Sequence, residues 1–367
     1  MKIESQRESL LKPLQNVIGV VERRQTLPVL SNVLLVAHDT GLVMTATDLE
    51  VELSARVAVP IAEGGEITLP GRKLLDILRA LPEGAAVSLS VEDGKARLSS
   101  TRCRFTLATL PAADFPTLED LPFELELRLP RAQFKRLIER THFAMAQQDV
   151  RYYLNGLLLD IGEGRIRAVA TDGHRLAYCE QALEEGGEIV PRQVIVPRKG
   201  VQELLRLLND GDGTVALKVG TNHIQVQLDD IGFTSKLIDG RFPDYQRVIP
   251  RQGERVILAD RLVLRNALAR AAILSSDKYR GIRLQLEDWM LRAQAHNPEQ
   301  EEAEEEVEVN YSGGPLEIGF NVNYLLDALG ALSGDLARLS FTDAVNPCLI
   351  QEAESEDCKY VVMPMRL

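Results

Sequence analysis

The sequence predicts an α+β protein of antiparallel sheets, built from three copies of one plan. Three observations carry this. An amphipathic helix pattern opens each third of the chain, landmarks recur at intervals of about 125 residues, and strand-like segments outnumber the helices without alternating with them one for one. The first helix falls within residues 5–24, SQRESLLKPLQNVIGVVERR, with Leu10, Leu14, Val17, Ile18 and Val21 on one face. The second falls within 129–149 and faces inward with Phe134, Leu137, Ile138 and Met145; the third falls within 259–277 with Leu264, Leu268 and Ala271. These spacings match a period of about 3.6.

Each helix precedes a strand-like segment: LPVLSNVLLVA, YYLNGLLLDI and KYRGIRLQLED. A strand closing in a polar turn follows: TATDLEVEL, AVATDGHRLAY and RAQAHNPEQEEA. Thr47 to Thr171 is 124 positions, and Thr171 to Ala295 is again 124. Then a strand runs into a second helix: ITLPGRKLLDILRAL, VIVPRKGVQELLRLL and IGFNVNYLLDALGAL. Each copy ends in paired strands, where Phe105 to Phe233 is 128 positions and Phe233 to Tyr360 is 127. Short turns between neighbouring strands point to antiparallel meanders. Pro- and charge-rich stretches near 118–128 and 245–255 set the expected domains at 1–120, 128–246 and 247–367.

The composition fits a globular chain of two or three domains: 367 residues, 45% hydrophobic and 26% charged. No apolar run approaches the ~18 residues of a membrane span, and no signal-peptide core opens the chain, so a cytoplasmic protein is expected. Cys103, Cys179, Cys348 and Cys358 show no CxxC spacing and read as reduced, incidental thiols. The net charge is 42 − 54 = −12, which argues mildly against nucleic acid. The distribution tells more. Lys and Arg gather on the helices (Lys12, Arg23, Arg24, Arg72, Lys73, Arg131, Lys135, Arg136, Arg198, Lys199, Arg261, Arg265), and the strands and loops hold most of the acid. Repeated in three copies, this bias predicts one basic helical surface that meets phosphates without reading bases. Tyr152 and Tyr153 beside Arg151 read either as strand side chains of a sheet or as residues that touch a nucleic-acid backbone or base.

The acidic run from Pro298 to Val309 holds Glu299, Glu301, Glu302, Glu304, Glu305, Glu306 and Glu308. It reads as a solvated loop or as a docking patch for a basic surface, which Lys73, Arg97, Arg102 and Arg104 would supply. A divalent-metal site is a poor fit without a turn glycine and fixed carboxylate spacing. No GxSxG, GxxxxGK[ST] or HExxH motif is present. His174 beside Asp172 suggests a general base for a hydrolase, yet no further acids and bases accompany it. A peptide-binding scaffold without DNA is a third class.

The blocks LLKPLQNVIGVVERRQTLPVLSNVLL, RFTLATLPAADFP, QQDVRYYLNG, ATDGHRLA, FTSKLIDGRFPDY, NPEQEEAEEE, GFNVNYLLDAL and YVVMPMRL carry a resemblance that runs end to end. The sequence is similar to the bacterial DNA polymerase III beta subunits, the replicative sliding clamps, of the gammaproteobacterial type. The resemblance implies the DNA clamp fold: three domains, each with two helices on antiparallel sheets, closing head to tail as a ring-shaped dimer. It implies a processivity subunit without an active site, metal or cofactor. That subunit encircles duplex DNA and works with the polymerase III alpha subunit, the clamp loader (delta subunit), translesion polymerases and mismatch-repair proteins. Carried over by position, DNA contact falls on Arg24, Arg72, Gln148, Tyr152 and Tyr153, helped by Arg198 and Lys199. The dimer interface pairs Lys73, Arg102, Arg104, Phe105 and Leu107 with Ile273, Leu274, Glu299, Glu301, Glu302, Glu304 and Glu305. The partner-peptide pocket takes Leu154, Thr171, Gly173, His174, Arg175 and Leu176 from the central third. It adds Pro243, Arg247, Val248, Val345, Met363, Pro364 and Met365, with YVVMPM as an edge strand. Asn346-Pro347-Cys348 departs from the family pattern beside that pocket.

Overall fold

The computed structural model describes all residues except 22–26, 93, 119–121, 184–189, 210, 252 and 367. The first third runs β1 (Lys2–Gln6), α1 (Arg7–Val17), β2 (Asn32–His38), β3 (Gly41–Thr47), β4 (Val51–Val57), β5 (Ile61–Glu63), β6 (Gly65–Pro70), α2 (Gly71–Ala80), β7 (Ala86–Glu92), β8 (Lys95–Ser100) and β9 (Cys103–Ala108). The second runs β10 (Phe123–Pro130), α3 (Arg131–Glu139), β11 (Gly156–Gly162), β12 (Arg165–Thr171), β13 (Arg175–Ala182), β14 (Arg192–Pro197), α4 (Arg198–Leu208), β15 (Thr214–Gly220), β16 (His223–Leu228) and β17 (Ile231–Lys236). The third runs β18 (Arg255–Asp260), α5 (Arg261–Ala271), β19 (Gly281–Glu287), β20 (Met290–His296), β21 (Glu302–Glu308), β22 (Leu316–Asn321), α6 (Val322–Ala331), β23 (Leu336–Phe341), β24 (Cys348–Glu352) and β25 (Cys358–Val362). Apart from the short β5, the order of elements is the same three times.

The helices follow from their spacing. Leu10, Pro13, Leu14 and Val17 are the buried face of α1, and Leu264, Ala267, Leu268 and Ala271 that of α5. Both sets repeat i, i+3, i+4, i+7, so one stripe covers a sheet. Accordingly α1 lies on β4 and beside α2, while α5 lies on β21 and beside α6. Strand runs straight into helix at each start. Asp260 caps α5 by accepting the Val263 amide at 2.8 Å, and Asn321 caps α6 by accepting that of Asn323 at 3.0 Å.

All named ladders are antiparallel. Each repeat makes two four-stranded meanders, and the repeats are joined where these meet edge to edge. Strand β17 pairs with β4 inside the sheet β10-β15-β16-β17-β4-β3-β2-β6, and β13 pairs with β25 inside β14-β11-β12-β13-β25-β24-β23-β18. The remaining sheets are β5-β1-β7-β8-β9 and β21-β20-β19-β22. The chain divides into two compact units, Met1–Phe134 with Lys199–Leu237, and Lys135–Arg198 with Ile238–Leu367. Each unit contains one junction sheet, and the middle third is shared between them.

Several readings of the sequence are corrected. The chain opens with β1, not with helix, and α1 ends at Val17 in a 3₁₀ turn, Ile18–Val20, so the first helix is shorter than its pattern. Helix α3 stops at Glu139. The Thr141 hydroxyl donates to the Leu137 carbonyl at 2.6 Å, drawing a backbone acceptor away from helix propagation, and Met145 is buried after the turn rather than on the helix. The acidic run is strand, not loop, over Glu302–Glu308, with Val307 as its buried anchor. The C-terminal β25 is no edge: it lies between β13 and β24. Cys179 and Cys358 are not incidental thiols. They face each other across β13 and β25, Cα atoms 4.1 Å apart, and form a disulfide, a pairing that 179 residues of intervening chain conceals in the sequence. Of the other two, Cys103 is half-buried and Cys348 buried; burial pushes the Cys348 thiol pKa well up.

The β4–β17 junction rests on apolar pairing. Phe233 stands opposite Leu53, and both are fully buried. Truncating a buried Phe to Ala costs about 3–5 kcal/mol, so Phe233→Ala is expected to lower the urea midpoint by that equivalent. A shift below about 1 kcal/mol would show that the junction does not depend on this contact.

Candidate functional site

An apolar groove opens in the second unit between the start of β13, the end of β25 and the segment after β17. Its cavity is about 220 Å³, lined by Leu154, Leu176, Phe242, Pro243, Tyr245, Val248, Val361 and Met363, with Arg151, Thr171, Gly173 and Arg175 at its polar side. The floor is a packed cluster with Leu158, Val169, Tyr178, Ile195 and Leu349. Tyr245 is buried and anchored: its hydroxyl donates to the Asp160 carboxylate at 2.6 Å, and burial raises its pKa. Met363 is set in place because its amide donates to the His174 carbonyl at 2.9 Å, prolonging the β13–β25 ladder by one step.

The turn before β13 fixes the other wall. The Thr171 hydroxyl donates to the Arg175 carbonyl at 2.6 Å and accepts the Gly173 amide at 3.1 Å. Asp172 accepts the amides of His174 and Arg175 at 2.9 and 3.1 Å. Gly173 has φ +90, and a Cβ there would come within 2.9 Å of the Arg151 guanidinium, so glycine suits both the backbone and the space. Asp172 is thus a turn former and not the partner of a catalytic base. Arg175 is held at all three of its nitrogens, by Asp172 (3.1 Å), Asp327 (2.5 Å) and the Phe143 carbonyl (2.8 Å), with its guanidinium 4.5 Å from the Tyr324 ring centre.

Of the expected pocket residues, Leu154, Thr171, Gly173, Arg175, Leu176, Pro243, Val248 and Met363 line this cavity. His174, Arg247, Val345, Pro364 and Met365 do not. The Arg247 side chain is 87% exposed and pairs with Asp244, and Val345 is 76% exposed on the turn that Asp343 organises before Pro347. Sequence reasoning missed Arg151, Phe242, Tyr245 and Val361; the signal for two of them was the FPDY block, whose aromatics point inward.

A second feature is the loop before β11. Tyr152 and Tyr153 are in a 3₁₀ turn, Tyr152–Leu154, not in a strand. Tyr152 is 57% exposed, while Tyr153 packs on the apolar cluster, with ring centres 5.8 Å apart. Gln148 is exposed with φ 56. Asp149 accepts from the Arg151 amide at 2.8 Å and from its guanidinium at 3.0 and 2.8 Å. These bonds hold the Asp149 carboxyl pKa down to about 2. In the same unit Arg198 donates to the Met145 carbonyl at 3.1 Å, bracing the approach to this loop. In the other unit, Arg72 donates to the Val21 carbonyl at 2.7 Å and Lys199 pairs with Asp48. Arg24 lies outside the described residues.

The expected interface residues lie on two strands and their surroundings. Arg102, Arg104, Phe105 and Leu107 are on or beside β9, an end strand of its sheet, and Lys73 is exposed on α2. Glu302, Glu304 and Glu305 are on β21, also an end strand, with Glu299 and Glu301 just before it. Ile273 is 74% exposed and Leu274 half-buried in the 3₁₀ turn beside β21. Glu305 accepts two bonds of 2.7 Å from Arg270, which lower its pKa. Among the described residues, no group of three or more His, Cys, Asp or Glu is placed to hold a metal ion, and no helix is long and apolar enough to cross a membrane.

Comparison with known proteins defines the class. The N-terminal, central and C-terminal domain families of the DNA polymerase III beta subunit match residues 1–119, 128–244 and 246–366. The beta sliding clamps of Pseudomonas aeruginosa and Escherichia coli are 56% and 51% identical, each over the full length of both chains. The crystal structure of the DNA polymerase III subunit beta from Pseudomonas aeruginosa superposes with a TM-score of 0.97 at 55% identity, covering all of both chains. A sliding clamp from that organism bound to griselimycin gives 0.97 at 56%, again with full coverage. The fold is therefore that of a processivity clamp, a replication factor and not an enzyme. The chain belongs to the DNA polymerase III beta subunit family.

The loop chemistry has a measurable consequence. A carboxyl whose pKa is depressed in the folded state stabilises that state above its unfolded value of about 3.9, and loses the contribution as pH falls through about 2. A carbon NMR titration is expected to find the Asp149 midpoint near 2, and Arg151→Ala to move it toward the ordinary value. A midpoint unaffected by that substitution would remove Arg151 as the cause.

Proposed function

We propose that two copies close head to tail into a ring around duplex DNA, and that the groove in the second unit takes peptide segments of replication and repair proteins. One observation carries the ring: the unfinished pattern of edge pairing. Strands β4, β13 and β21 hold the same place in the three repeats, as do β9, β17 and β25. Inside the chain, β4 takes β17 and β13 takes β25, while β21 and β9 end their sheets. Pairing β21 of one copy with β9 of the other completes the set twice and closes the assembly.

Charge supports the direction. The β9 side offers Arg102, Arg104 and Lys73, and the β21 side the run from Glu299 to Glu305. Apolar Phe105, Leu107, Ile273 and Leu274 supply the burial. Glu305 is already held by Arg270 and Glu304 by Arg292, which leaves the outward steering to Glu299, Glu301 and Glu302. Each copy then contributes Arg72, Gln148, Tyr152, Tyr153, Arg198 and Lys199 to phosphate contact without sequence specificity. The implied partners are the polymerase III alpha subunit, the clamp-loader delta subunit, translesion polymerases and mismatch-repair proteins, in a cytoplasmic setting.

Ring closure is tested on nicked circular DNA. Loaded protein is expected to survive salt that strips phosphate-bound proteins and to leave once the circle is cut, because topology does not depend on counterion release. The double variant Ile273→Ala, Leu274→Ala is expected to sediment as a folded monomer and lose this retention. Equal loss from circles and linear DNA would overturn the ring.

For the groove, removing residues 363–367 deletes Met363 and leaves the interface strands intact. A labelled partner peptide with Leu and Phe anchors is expected to bind at least about tenfold more weakly, since a few buried anchors dominate such affinities. Unchanged affinity in a protein that still dimerises would place the peptide elsewhere.

A further inference from the structure

The third repeat holds a second concavity, apart from the groove, whose one residue on the proposed ring strand β21 is Glu308, at the end of that strand. It is about 400 Å³ and lies between β18 and the β19–β20 hairpin, with Leu258, Met290 and Trp289 as its apolar part and Asp260, Asp288 and Glu308 around them. We propose that this is a docking site for an arginine-bearing peptide segment, with Trp289 as the platform.

Trp289 is the only tryptophan of the chain and is 63% exposed. Turn chemistry does not account for it. Glu287 pairs with Met290, so Asp288-Trp289 is a two-residue hairpin loop in which Trp289 takes φ 69. The matching loop of the central repeat, Glu163-Gly164 between Gly162 and Arg165, has glycine at the same φ of 69. The left-handed conformation favours glycine and disfavours a bulky side chain, so the indole is present against local preference. It is also held in place. The Trp289 amide donates to the Tyr311 carbonyl at 3.0 Å, and its carbonyl accepts the Val309 amide at 3.1 Å. Tyr311 is itself buried, so the backbone that carries the indole is fixed before any ligand arrives.

Charge selects the occupant. Three carboxylates and no Lys or Arg border the cavity, and among the described residues none of the three is in an ion pair. Asp260 spends one oxygen on the Val263 amide. A guanidinium stacks flat on an indole face and offers paired N–H donors to carboxylates, a match that an ammonium makes less well. Phosphates meet repulsion here, which separates this site from DNA contact. The site also shares no residue with the groove, so its failure leaves the peptide reading of the groove untouched.

The single indole makes the test direct. Intrinsic fluorescence of the full chain is followed while an acetylated, amidated Ala-Arg-Ala-Arg-Ala peptide is added, with Lys and Glu versions beside it. A saturable change in emission is expected for the Arg peptide, weakened by salt. The Lys peptide is expected to bind more weakly, because an ammonium neither stacks flat on the indole nor offers paired donors, and the Glu peptide not at all. Fluorescence anisotropy of a dye-labelled Arg peptide is expected to show lost binding to Trp289→Ala and to Asp288→Asn with Glu308→Gln, with thermal unfolding and binding of the groove peptide unchanged. No saturable change at millimolar peptide, equal binding by Trp289→Ala, or equal binding of the Glu peptide overturns the proposal. An indole shift that follows protein concentration without peptide would also overturn it, by showing a contact between copies.

Discussion

An exposed strand edge must be paired, covered or blunted, because its unpaired N–H and C=O groups otherwise recruit another chain. Much of this architecture follows from that constraint. Each repeat makes two meanders, and each junction is formed where the end strand of one repeat hydrogen-bonds to an end strand of the next. The register at β4–β17 sets Phe233 against Leu53, and at β13–β25 it sets Tyr360 against Ala177, so backbone pairing and apolar burial coincide. A chain of three repeats has two such junctions and one unmatched strand of each kind. The closure proposed for β9 and β21 is the same interaction made between molecules.

The same constraint explains why one junction carries an apolar groove while its counterpart has a different character. The two are built from matching turns. Thr47 donates to the Val51 carbonyl as Thr171 does to that of Arg175, and Asp48 accepts the amides of Glu50 and Val51 as Asp172 accepts those of His174 and Arg175. Phe115 and Pro116 match Phe242 and Pro243. The difference lies 124 positions apart, where Glu52 stands in the place of Leu176. Its carboxylate accepts the Leu118 amide at 3.1 Å, and burial raises its pKa. A carboxylate satisfied by its own chain puts a polar, occupied group at this position; a leucine leaves apolar surface that gains from a partner's side chain.

How much of this was legible in the sequence depended on how local the cause was. The helix faces were legible because Leu10, Leu14 and Val17, or Leu264, Leu268 and Ala271, repeat at helical spacing. The tripling was legible because landmarks such as Thr47, Thr171 and Ala295, or Phe105, Phe233 and Tyr360, fall in the same order at intervals of about 125 residues. Pairings across long separations were not. Nothing near Cys179 marks Cys358 as its neighbour, and nothing in YVVMPM shows that two strands flank it. Of the expected groove residues that fell outside the cavity, His174, Arg247 and Pro364 adjoin lining residues in the chain, Met365 is two positions from one, and Val345 is far from any. Small changes of direction in a turn decide which side chain faces the cavity, and those depend on tertiary hydrogen bonds such as Met363 to His174.

Charge distribution completes the physical picture. A chain with a net charge of −12 is a poor nonspecific DNA binder by attraction alone. Its guanidinium groups that were expected to meet phosphate are tied back as well: Arg72 to the Val21 carbonyl, Arg198 to that of Met145. Each Arg has five N–H donors, so one bond to a carbonyl fixes the plane of the group and leaves others to face outward. Such anchored cations make few, uniform contacts and lack the freedom to wrap a phosphate. That is a disadvantage for a protein that holds DNA by affinity. In the proposed ring it becomes the working condition, because a closed loop retains DNA without strong contacts, and weak, even ones leave the barrier to sliding low.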